Sequence, residues 1–77
     1  MKIPIEVIGA IINSQRTSHQ IRVSDDAQYT GGFIIYEWWQ DSNGPNSNNA
    51  FDSWVEDTNS LAKFFQEADW KIQWQSN

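Results

Sequence analysis

Residues 33–39 read Phe-Ile-Ile-Tyr-Glu-Trp-Trp, a run in which every position but one is a large aromatic or β-branched side chain. Such residues favour extended backbone, and this run is apolar in both alternating phases. A strand of that kind must be covered on both faces or lie between two neighbours, which makes it the centre of a sheet. The rest of the fold has to be built around it.

The flanks supply the partners. Residues 3–12 are β-branched at nearly every apolar position and predict a first strand, in which Gly9 marks a bulge, a bend or the close approach of another backbone. His19-Gln20-Ile21-Arg22-Val23-Ser24 alternates and predicts a half-exposed second strand, reached through the polar turn 13–18. Residues 24–32 end in a Gly-Gly pair and turn the chain into the third strand, 33–39. Residues 41–50 are almost all turn-forming and polar, and predict a flexible loop. Phe51–Val55 is a short fourth strand. Glu56-Asp57-Thr58-Asn59 places acids and capping oxygens at a helix start, after which Leu61, Phe64, Phe65 and Ala68 recur at helical spacing. Trp70-Lys71-Ile72-Gln73-Trp74 alternates as a fifth strand, and residues 75–77 form a frayed tail. The order β-β-β-β-α-β predicts the α+β class: one small domain over 1–77, a mainly antiparallel sheet with a helix packed on one face.

With 77 residues and no cysteine, neither a second core nor a disulfide framework is expected, and no thiolate site is possible. The five Trp, four Phe and two Tyr must provide the packing. Net charge is −5, and between Arg22 and Lys63 seven acids occur without a base. An anionic segment of this length repels nucleic acid and anionic lipid and favours a basic protein partner. No apolar stretch reaches the roughly twenty residues of a bilayer span, and Glu6 inside the N-terminal apolar run argues against a signal peptide. A cytoplasmic location is the expectation.

Chemical motifs are few. His19 is the only histidine, so no His pair can hold a metal, and no nucleophile-elbow pattern surrounds any serine; an exposed strand-end role is expected for it. Asp25-Asp26 and Glu56-Asp57 are adjacent pairs, and adjacent side chains on a strand point apart. Asp41, Asn43, Ser47, Asn49 and Asp52 have calcium-loop spacing, yet Pro45 and Asn46 stand where such a loop needs a ligand and a glycine, and Asp52 replaces the bidentate glutamate. Gly31-Gly32 precedes a strand without the lysine or helix of a phosphate loop. No catalytic residue, cofactor or metal is assigned.

Strand phase gives a candidate face. Trp70, Ile72 and Trp74 belong under the helix with Ile21 and Val23. In the third strand the cost of burying the Glu37 charge sends Ile34, Tyr36 and Trp38 inward and Phe33, Ile35 and Trp39 outward. In the fourth, Phe51 and Val55 point in, Asp52 and Trp54 out. The partner-binding residues expected are therefore Phe33, Ile35, Glu37, Trp39, Asp52 and Trp54, with Glu56 and Asp57 adding charge. Three occupants are open for that face: a foreign protein with a basic surface that the chain would regulate or inhibit, a second copy of the chain, or the chain's own first strand or loop. Trp39, Trp54 and the asparagine loop also suit a sugar-stacking surface.

Overall fold

A computed structural model describes residues 3–44 and 50–75. The elements are β1 (Ile8–Ile11), β2 (Gln20–Asp26), β3 (Gly32–Trp38), β4 (Phe51–Val55), α1 (Thr58–Ala68) and β5 (Ile72–Trp74). All pairings are antiparallel, and the sheet order is β4-β3-β2-β1-β5. The expected element order and class are therefore what the chain adopts, with β3 in the sheet interior. The expected flexibility of the loop and tail falls largely on residues 45–49, 76 and 77, outside the described residues.

This topology fixes the helix. β4 and β5 lie at opposite edges, so the connection between them must cross one whole face of the sheet. Five strands span about 19 Å at the usual spacing, and an eleven-residue helix is about 16 Å long. Leu61 and Phe65 point down from α1 into a core of Ile11, Ile21, Val23 and Ile35, and Phe64, Trp70, Ile72 and Trp74 pack around it. The helix begins at Asp57, whose Oδ1 accepts the Ser60 N–H at 2.7 Å. It ends at Asp69, in left-handed conformation (φ 56°), whose N–H donates to Phe65 O. Asn13 locks that end to the sheet: its Nδ2 donates to Asp69 O and its Oδ1 accepts from Lys71 N–H.

The first strand is shorter than its composition implies. Pro4 has no N–H to offer a ladder, and Glu6 takes a left-handed φ of 60° while donating its N–H to Val23 O. Regular pairing starts only at Ile8. Gly9 serves a close approach, by side chains rather than backbone: a Cβ there would stand 2.5 Å from Ile72 Cγ2 and 2.7 Å from Trp74 Cε3. Gly32 is tighter still. Its Cβ would meet the Val55 carbonyl oxygen at 2.1 Å and the Trp54 indole at 2.8 Å. Gly32→Ala must part β3 from β4, so we expect a loss of about 2–3 kcal/mol by urea denaturation, with the Trp54 indole N–H signal shifted.

Hydrogen bonds to the Ser60 backbone N–H, then to its side chain, hold the Asp57 carboxyl below its ordinary value of 3.8. A folded-state value lower than the unfolded one gives stability that is present above the ordinary value and lost as pH falls through the folded value. Comparing urea midpoints at about pH 6 and about pH 3, Asp57→Asn, which keeps a capping oxygen that does not titrate, should show a smaller acid loss than the wild type.

Candidate functional site

The main correction to the sequence reading lies in β3. Register places Ile21 opposite Glu37, Val23 opposite Ile35 and Asp25 opposite Phe33. Ile21 and Val23 are fully buried, so β3 presents Phe33, Ile35 and Glu37 to the helix side, and Ile35 is 1% exposed. Phe33 packs against the core. Ile34, Tyr36 and Trp38 occupy the opposite face. The expected phase rested on Glu37 being an unpaired charge, and Glu37 is paired.

Its partner is His19. Residue 19 has the parity of Ile21 and Val23, and its side chain is buried, not exposed as expected for a strand end. Nε2 lies 2.6 Å from Glu37 Oε2, and Nδ1 lies 2.6 Å from Ser14 Oγ. A carboxylate only accepts, so the Nε2–H donates to Glu37; in the neutral ring Nδ1 then accepts the Ser14 hydroxyl proton. The ring stands edge-on to Trp39 and Trp70, with centroids 5.5 and 5.9 Å away. Trp39 in turn stacks on Phe51 (5.0 Å, 4°), and the Arg16 guanidinium sits 4.0 Å from its centroid.

The bond order Ser14–His19–Glu37 is that of a hydrolase relay. At Ser14 Oγ, however, the backbone donor is the Arg16 N–H at 3.0 Å, which binds the hydroxyl itself instead of a reacting oxygen beside it. The arrangement ties the turn before β2 to β3 and to the tryptophans on either side. Parity was the signal for it: a histidine in phase with two core residues is a buried partner for a charge on the neighbouring strand.

The other face of the sheet carries different chemistry. Across β2, β3 and β4 the register aligns Ser24, Ile34 and Trp54 in one row and Arg22, Tyr36 and Asp52 in the next. Trp54, 52% exposed, lies over Gly32 and donates its indole N–H to Thr30 Oγ1 at 2.8 Å. Trp38 is half-buried and donates to Gln20 Oε1 at 2.8 Å. Ile8, Arg22, Tyr36, Trp38 and Ala50 line a cavity of about 210 Å³. Glu6 at its edge accepts from Ser24 Oγ and Asp25 N–H. Among the described residues no second helix or sheet stands on this face.

Of the residues expected to bind a partner, Asp52 and Trp54 lie on this face. Phe33, Ile35 and Glu37 lie on the other; Trp39 packs among His19, Phe51 and Arg16. Glu56 is exposed at the foot of β4, and Asp57 is committed to the helix cap. Ile34, Tyr36 and Trp38 are the face residues that the phase argument missed. Two of the calcium-spaced residues, Ser47 and Asn49, lie outside the described residues, and no cluster of three or more metal-ligating side chains occurs among those described. No described helix is long and apolar enough to cross a membrane. Comparison with known proteins gives no family model, no curated relative and no solved structure that matches this chain.

Proposed function

We propose that this chain is a protein-binding module whose partner docks on the sheet face opposite the helix. The observation that supports it is that face itself, with Ile34, Tyr36, Trp38 and a half-exposed Trp54 side by side on one surface. Small domains rarely leave that much aromatic area without a second layer. Glu6, Asp26 and Asp52 surround it, and β1–β4 contribute a single base, Arg22. A basic partner surface complements this pattern, and charge would act mainly on association rate and salt dependence. Trp54 is the natural anchor, held by Thr30 and bedded on Gly32. The chain would then act as a stoichiometric regulator or inhibitor of a larger basic protein, of the nucleic-acid-handling kind.

The test is affinity capture with the wild type beside Trp54→Ala and Asp52→Lys, followed by titration of the captured protein. We expect a one-to-one basic partner whose affinity falls about thirtyfold or more without Trp54 and falls with added salt. A partner held equally by all three proteins would end this reading. The exposed edge strand β4, unpaired on one side, favours self-association as the second reading. Sedimentation separates the two, since a concentration-dependent dimer that buries Trp54 leaves no free docking face.

A further inference from the structure

The cavity on the open face has a composition of its own. Ile8 and Ala50 make an apolar floor, Tyr36 and Trp38 give aromatic walls, and Arg22 brings a cation. The guanidinium carbon lies 5.4 Å from the Tyr36 ring centroid, within cation–π distance. Its Nε is buried and has no hydrogen-bond partner among the described residues. Glu6 Oε1 forms an ion pair with it at 3.9 Å, beyond hydrogen-bond reach. Glu6 is not free to close that gap, because Oε1 already accepts from Ser24 Oγ and Oε2 from the Asp25 N–H.

A buried N–H without a hydrogen-bond acceptor on a charged fork is costly to maintain, and an ion pair at this distance leaves the fork able to take an acceptor from outside the chain. The side chain is 41% exposed, so the rest of the fork is reachable from the cavity. Volume sets the size of the visitor. An apolar cavity of roughly 150 Å³ takes a benzene ring, so the space here suits one ring plus a small polar group. Arginine's planar fork matches a carboxylate in two parallel bonds.

We propose that this cavity is a binding site for a small aromatic carboxylate taken free from solution, its ring between Tyr36 and Trp38 and its carboxylate on Arg22. The site does not depend on the docking reading, because it is tested with the purified chain and a free acid.

The experiment is an NMR titration at constant ionic strength with sodium benzoate, benzamide and sodium acetate, following the Arg22 Nε–H and the indole N–H groups of Trp38 and Trp74. Benzoate should move the first two at about millimolar concentration and leave Trp74, on the helix side, in place. Benzamide keeps the ring but loses the charge, and acetate does the reverse; each should bind about tenfold more weakly or worse. Arg22→Gln should reduce benzoate to the benzamide level with an unchanged circular dichroism spectrum. Equal responses to benzoate and benzamide would remove the role of Arg22, and equal responses to benzoate and acetate would remove that of the cavity. Absence of any Arg22 or Trp38 shift up to tens of millimolar would overturn the site. The wild-type comparisons decide these points even where the variant fails to fold.

Discussion

Ile35→Asp should abolish folding, while Ile34→Asp, one residue away in the same strand, should leave a folded protein. Ile35 is 1% exposed among Ile21, Val23, Leu61 and Phe65, so the substitution loses packing and buries a carboxylate with no partner. The cost exceeds about 4 kcal/mol. A domain of this length has roughly 4–12 kcal/mol in total, so most or all of its stability is consumed. Ile34 is half-buried on the opposite face between Ser24 and Trp54, where water reaches a new charge. A loss of about 1 kcal/mol is expected there. Circular dichroism and amide-signal dispersion read both outcomes, and the reverse result would restore the phase in which Ile35 points outward.

His19→Ala carries the second large effect. It removes the hydrogen bonds to Glu37 and Ser14 and the ring that fills the space between Trp39 and Trp70. We expect a loss of about 3 kcal/mol in urea unfolding. Glu37→Gln keeps an oxygen that can accept the Nε2–H and should cost only about 1 kcal/mol. In a double-mutant cycle of His19→Ala with Glu37→Ala, the coupling should reach about 1–2 kcal/mol, against a few tenths for an exposed pair. Additive losses would mean that the 2.6 Å contact contributes nothing specific to β3. The Trp39 and Trp70 indole signals should also move in His19→Ala, because both rings lean on the imidazole edge.

The two predictions concern one structural decision. Sequence reasoning treated Glu37 as the residue that sets the phase of β3, since one charge in a run of aromatics is the strongest polar signal available. That logic holds when the charge has no partner. Here Ile21 and Val23 on one side of β3, and Val55 on the other, set the phase through the ladder. The charge follows them inward because His19 receives it at the end of the sheet. The candidate face changes in consequence: Phe33, Ile35, Glu37 and Trp39 leave it, and Ile34, Tyr36 and Trp38 take their places beside Arg22, Asp52 and Trp54. Both phases of 33–39 are apolar, so the pattern alone does not choose between them.

The sequence by itself determined the element order, the interior place of β3, though β2 and not β3 is the middle strand, the apolar stripe of α1 and its acidic start, and the faces of β2, β4 and β5. These are local matters, settled by side-chain period, branching and capping within a few residues. Tertiary structure alone decided which face of β3 packs under the helix, where His19 resides and which aromatics lie on the opposite face. Each of those depends on pairing between strands, as Val23 with Ile35 and His19 with Glu37, and a charge has no fixed cost of burial until its partner across the sheet is known.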